Sequence, residues 1–245
     1  PYDASDDPVL RHDAVRLLQF AIGGIGTNER SSPGLVGYIT QANDSVPDVL
    51  RDPIVARLAS EFPTGDATLD RELSRLMAML AADDTRLAEA VSRQWSPDSS
   101  VEHDIHYLMV LARLSAPRSE AVTVATAAAL CHLHAKLNDT GGYASRHWPE
   151  RIETAFAALC RHDPALGAAM IENDAFGRAE HSLFVAALDE PLRAVAAARL
   201  LDRLSNPDTP DEAWSATAVR AAPAVDPDAT ARGSAEDPAF TARQR

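Results

Sequence analysis

The stretch from Asp98 to Leu137, DSSVEHDIHYLMVLARLSAPRSEAVTVATAAALCHLHAKL, constrains this chain more than any other. Ile105, Leu108, Met109 and Ala112 recur at the i, i+3, i+4, i+7 spacing of one helical face, and Leu111 and Leu114 widen that face until little is left for water. The run stops at Ser115-Ala116-Pro117, where proline cannot continue a helix but has the right φ to begin one. A second helix then carries Val122, Ala125, Ala129, Leu133 and Leu137 on one face, with Val124, Ala128, Cys131 and Ala135 on another. So short a joint predicts two nearly antiparallel helices, and two broad apolar faces require further helices on either side.

Composition extends that reading to the whole chain. Alanine supplies much of the 46% apolar content and aromatics only 5% of the residues. Alanine favours helix and close helix approach, while the β-branched and aromatic residues are too sparse and too unalternating to write a sheet. The expectation is an all-α protein. A formal charge of −13, spread along the chain, repels phosphates and argues against nucleic-acid or anionic-membrane binding. The longest uncharged run, from Ala121 to Ala135, is too short to cross a bilayer, so no membrane insertion is expected. Of 23 basic residues only Lys136 is lysine, which reads as the mark of a GC-rich, bacterial genome. Cys131 and Cys160 lie inside helical patterns and read as buried free thiols, which leaves the compartment open. The opening PYDASDDP has no basic, then apolar, character, so a secretory leader is expected to be absent or already removed. Two glycosylation sequons, at Asn43 and Asn138, would matter only in a eukaryotic secretory setting.

Along the chain, Asp6-Asp7-Pro8 opens a helix whose buried side is expected to hold Val9, Ala14, Leu17, Leu18 and Ala21, and Gly23-Gly24 ends it. The Gly, Ser, Asn and Pro-rich segment that follows predicts an extended loop. Further helices are expected from Asp52-Pro53, over Leu69 to Ala82 and Leu87 to Trp95, from Pro149 and from Asp163-Pro164, with a last pair over Gly177 to Leu188 and Pro191 to Leu204. The acidic groups at Asp70-Arg71-Glu72 and Asp83-Asp84 read as solvated helix ends. From residue 205 to 245 the composition shifts to Ala, Pro, Asp and Thr, with Trp214, Val219 and Phe240 as isolated anchors. The division is a helical-repeat domain over residues 1–204 and a C-terminal extension over 205–245. Short helices punctuated by acidic-Pro steps fit an α-solenoid of irregular helix pairs, with a closed helical bundle as the alternative.

The segments DPVLRHDAVRLLQ and EPLRAVAAARLLDRL resemble degenerate HEAT-type repeats, in which an acidic-Pro turn precedes an arginine and an Ala/Leu-rich helix. That resemblance covers residues 6 to 204 and implies HEAT-like helix pairs. FPTGD, LDRELSRLMAML, DIHYLMVLARL and RHWPER are more loosely similar to helical segments of large planctomycete-type proteins that join a dehydrogenase-like propeller, HEAT-like repeats and a c-type haem domain. This second resemblance implies a periplasmic or secreted setting. The Cys-x-x-Cys-His that attaches haem is missing, so no redox centre carries over.

Few residues assemble into chemistry. His103 and His106, i and i+3 on one helix, supply two metal ligands where a catalytic zinc needs three and a water, and Glu102 four residues before His106 offers an ordinary helical ion pair. His132 and His134 point apart on a helix, whereas Cys131 and His134 could share a metal. Gly23-Gly24-x-Gly26 follows a helix and precedes no Gly-Lys-Ser/Thr, so it reads as helix termination, not a phosphate loop. There is no Gly-x-Ser-x-Gly elbow or His-Glu-x-x-His, and Cys160 and His162 diverge on their helix. A Gly-Gly loop instead presents Tyr143, Arg146, His147 and Trp148 together, residue types enriched at interface centres. The expectation is a non-catalytic scaffold or protein-interaction module within a larger protein or complex, without cofactor, whose partner is a protein or neighbouring domain. An all-α enzyme or metalloprotein with a site near His103 and His106 is the second reading.

Overall fold

The computed structural model describes residues 7–22, 35, 37–39, 46–139 and 148–204. The Gly23-Gly24 helix stop, most of the following loop, Tyr143, Arg146, His147 and the extension over 205–245 lie outside the described residues.

Local chemistry sets most helix starts. In α1 (Pro8–Ala21) Asp7 caps the helix by accepting from Val9 N at 3.0 Å, and Pro8 occupies the first helical position, where its missing N–H costs nothing. Asp66 caps α3 (Ala67–Met79), Asp84 caps α4 (Thr85–Ser92) and Ser100 caps α5 (Val101–Arg113), each through its side-chain oxygen. The remaining helices are α2 (Asp48–Glu61), α6 (Glu120–Asp139), α7 (Trp148–His162), α8 (Leu166–Glu172), α9 (Ser182–Val185) and α10 (Glu190–Leu204). Every regular element among the described residues is helical, as the composition predicts, and none is long and apolar enough to cross a membrane.

Several starts differ from expectation. α2 begins at Asp48 with Pro53 inside it, because Pro47 already sets the entry. Pro117 does not begin α6; the helix starts at Glu120, and the gap is filled by Arg118, which donates to the carbonyls of Leu111, Leu114 and Ala116. These are C-terminal carbonyls of α5 and its joint, left without helical partners. Gly177 to Leu188 is not one helix but a 3-10 turn, Ala179–His181, followed by the single turn of α9. Gly177 holds φ at +119°, a conformation that L side chains rarely adopt, and a Cβ there would meet Arg203 at 2.6 Å.

The helices pack with a skip of one. α1 lies on α3, α3 on α5, α5 on α7 and α7 on α9, while α4 lies on α6, α6 on α8 and α8 on α10. α5 also packs on both α4 and α6, joining the two series. Fastenings at the joints follow the same path. Ser115 N donates to Ala82 O at 3.1 Å, Thr123 Oγ1 donates to Asp163 Oδ2 at 2.7 Å, and His181 Nε2 donates to Cys131 O at 3.0 Å. The core runs from Val15 to Leu200, with Leu108, Leu114, Phe156 and Phe176 fully enclosed. The centre of the chain is therefore where the sequence places it, on α5 and α6.

α1 departs from its expected orientation. Val9 and Leu17 are 65% and 71% exposed, and the covered side is Val15 and Gln19 with Ala14, Leu18 and Ile22 half-covered. The helix is apolar on two sides, and α3 claims the side that brings the Gln19 amide onto Glu72. Leu108→Ala should lower unfolding free energy by about 2–5 kcal/mol, whereas Leu17→Ala should change it by no more than about 0.5 kcal/mol. Urea titrations of the two variants check the contrast, and equal losses would mean that α1 buries Leu17 in solution.

Candidate functional site

Two polar constellations interrupt the apolar core. The first surrounds His106, carried into the α3–α5 contact by the helical phase of Tyr107 and Leu108. Its Nε2 lies 2.9 Å from Ser74 Oγ on α3 and its Nδ1 lies 2.8 Å from Tyr38 Oη. Ser74 Oγ also donates to Arg71 O at 3.1 Å. One proton assignment satisfies every group: Ser74 donates to Arg71 O, His106 Nε2–H donates to Ser74, and Tyr38 donates to His106 Nδ1. Arg113 Nε fastens the Tyr38 carbonyl at 3.2 Å, and the Arg75 guanidinium stands 5.2 Å over the Tyr38 ring. Burial first, then Arg75, Arg71 and His103, pushes His106 down to about 3. Burial, with Asp70 adding to it, pushes the Tyr107 phenol up to about 12.

A serine hydroxyl 2.9 Å from a histidine resembles a nucleophile and its base. Ser74 is fully enclosed, however, and its proton points at a main-chain carbonyl, so no substrate reaches it. The arrangement locks α3 to α5. The Glu102–His106 pair suggested by spacing does not form, because both ring nitrogens of His106 are engaged inside. His103 Nε2 bonds the carbonyl of Gln94 at 2.9 Å, and no cluster of three or more metal-ligating side chains occurs among the described residues.

The second constellation joins α6 to the start of α5. Lys136 Nζ donates to Asp104 Oδ2 at 2.6 Å, to Ser96 O at 2.6 Å and to Ser99 Oγ at 2.9 Å, which uses all three of its protons. Asp104 is 0% exposed, and Ser99 Oγ stands 2.5 Å from its other oxygen. Above this pair lies a groove of about 400 Å³. Trp95, Ser96 and Pro97 form one lip, Ala125, Ala128 and Ala129 form the other, and His132 stands at the mouth.

The remaining expected sites separate. Trp148 opens α7 and borders, with His134 and Glu180, a recess of about 10 Å³. His134 Nε2 is 3.9 Å from Glu180 Oε1, while Cys131 turns to the Met170 carbonyl, so the two do not meet. Burial pushes both thiols up to about 12, leaving little thiolate near neutrality. Asp70 and Glu72 are buried, contrary to their reading as solvated ends. Asp70 accepts from Thr64 N and Thr64 Oγ1 at 2.6 and 2.8 Å, fixing the α2–α3 turn, and Glu72 receives Gln19. Sequence reasoning missed Tyr38, Ser74, Trp95 and the Asp104–Lys136 pair. Its one available signal was the solitary lysine. No known family model, curated protein or solved structure matches the chain.

Both constellations make measurable statements. Below pH 6.5 an unfolded chain protonates His106 and His181, while the folded chain keeps them neutral down to about 3 and about 4. The unfolded state then binds more protons, so stability should fall as pH drops through this window, by up to about 1.4 kcal/mol per unit for each ring. Unfolding free energies at intervals from pH 7 downward should show that slope, and His106→Asn should make it shallower. Lys136→Ala leaves the buried Asp104 carboxylate without its cation and should cost about 3–5 kcal/mol. The double variant Lys136→Met/Asp104→Asn should recover part of that loss, and a double variant no better than the single one would remove the ion pair from the account.

Proposed function

We propose that this chain is a non-catalytic helical-repeat module, an open stack of irregular HEAT-like helix pairs that binds a protein partner or a neighbouring domain. The skip-one contacts support an open stack over a closed bundle: none of the substantial packings joins α1, α2 or α3 to α8, α9 or α10. The inward use of His103, His106 and His181 and the inert thiols fit a non-catalytic role.

The observation that carries the proposal is the outer side of α1. Val9, Leu10, Leu17 and Phe20 are 55% to 71% exposed. At about 100° per residue they fall within an arc of about 100°. Val49 and Leu50 at the start of α2 are exposed as well. Helical stacks ordinarily end in a repeat whose outer face is polar. An apolar outer face at this end fits a surface that another folded element covers, and apolar arcs of this kind mark contact sites.

A photo-crosslinking side chain placed at position 20 of the full natural polypeptide, in its own cell, should form one discrete adduct. The same group at the exposed Glu102 should not. Leu17→Glu/Phe20→Glu should abolish the adduct formed from position 10 while leaving the melting temperature unchanged. Adducts from position 20 no more discrete than those from position 102 would overturn the assignment of this face.

A further inference from the structure

The groove over the Asp104–Lys136 pair plays no part in the proposal above, and its chemistry is specific. Its volume of about 400 Å³ is on the scale of pockets that enclose small organic ligands. The space exists because α6 presents alanines at 125, 128, 129 and 135 where longer side chains would fill it. Around that space the ammonium and indole donors are spent inward. Lys136 uses all three protons on Asp104, Ser96 and Ser99, and the Trp95 indole N–H points to Asp104 O at 3.4 Å.

What faces outward accepts. His132 Nδ1 lies 2.8 Å from Ala128 O, and since a carbonyl only accepts, Nδ1 carries the proton. With Nδ1 carrying the proton of the neutral tautomer, Nε2 is the nitrogen left to accept, on an exposed residue lining the groove. Ser92 gives its hydroxyl proton to Glu89 O at 2.9 Å and keeps lone pairs on its oxygen. No ring or cation stacks on the Trp95 indole among the described residues, and the half-buried ring lines the groove. The one cation in the wall is neutralised by Asp104, and the chain as a whole carries −13. A carboxylate or phosphate would find only the Ser96 hydroxyl as a side-chain donor and an opposing field. An ammonium group on an apolar body would find acceptors, an aromatic face and apolar walls.

We infer that this groove binds small arylalkyl or alkyl amines, the apolar body lying between Trp95 and the alanine face of α6 and the ammonium directed to His132 and Ser92. The test titrates ¹⁵N-labelled protein at about pH 8, where imidazole is neutral, with phenethylamine, and separately with 2-phenylethanol and phenylacetate. The Trp95 indole N–H and the amides of residues 125–136 are followed. Phenethylamine should produce saturable shifts confined to these signals, and phenylacetate should bind about tenfold more weakly or less. Ala128→Leu, which fills the groove from a half-buried helical position, should weaken phenethylamine about tenfold. His132→Ala, at an exposed position, should narrow the preference for the amine over the alcohol with melting unchanged. The inference is overturned by an absence of saturable shifts, by phenylacetate binding as tightly as the amine, or by a folded Ala128→Leu protein that binds as wild type does. Should Ala128→Leu fail to fold, an undiminished amine preference in His132→Ala overturns it alone.

Discussion

A carboxylate removed from water must be answered by the chain that buries it, and Asp104 sets that demand at the middle of this fold. Its side chain is 1% exposed, one turn into α5, with the apolar faces of α5 and α6 closing over it. An isolated charge in such a place is costly, and a pair is tolerable only when its remaining hydrogen-bond capacity is also met. Lys136 meets it from the far end of α6 and gathers Ser96 and Ser99 at the same time. The turn between α4 and α5 is thereby held against α6, which places Trp95 over the alanine face. The groove follows from the ion pair.

The same logic governs the α3–α5 contact. Ser74, His106 and Tyr38 close a chain of hydrogen bonds in which each proton has one destination. Arg118 answers the carbonyls that α5 leaves open, and Asp70 those N–H groups that the α2–α3 turn leaves open. Alanine-rich helices approach closely and leave little room for water, so polar groups between them are satisfied by protein or not at all.

How much of this was legible follows from the range of the interactions. Periodicity placed α5 and α6 at the centre, and Leu108, Leu114 and Leu133 are enclosed as their spacing requires. The cap at Asp7 was legible because its mechanism spans two residues. α1 was misjudged because two of its sides are apolar and sequence does not say which one α3 covers. Gly177 looked like a helix start because nothing local shows that Arg203 lies against it. Asp70 and Glu72 looked solvated because their partners come from other segments. His103 and His106 drew attention as a spaced pair, but their partners, Gln94 and Tyr38 with Ser74, are fixed by tertiary packing that spacing does not encode. Lys136 stood out as the only lysine among 23 basic residues and was ascribed to genome composition. Its position is where an arginine would not serve, since three convergent acceptors suit a compact ammonium better than a planar fork.

That solitary lysine has a chemical corollary. The chain owns one side-chain amine, and in the folded state its protons are all engaged and its side chain is only 15% exposed. Acylation of an amine needs its free lone pair, so the folded body presents such reagents and enzymes with no reactive side-chain amine in spite of its many cations. Any acylation at Lys136 therefore requires the Trp95–Ser100 turn to leave α6 first. The residue is a built-in reporter of opening at the centre of the fold, readable by mass as a single modification against a background of arginines that do not react.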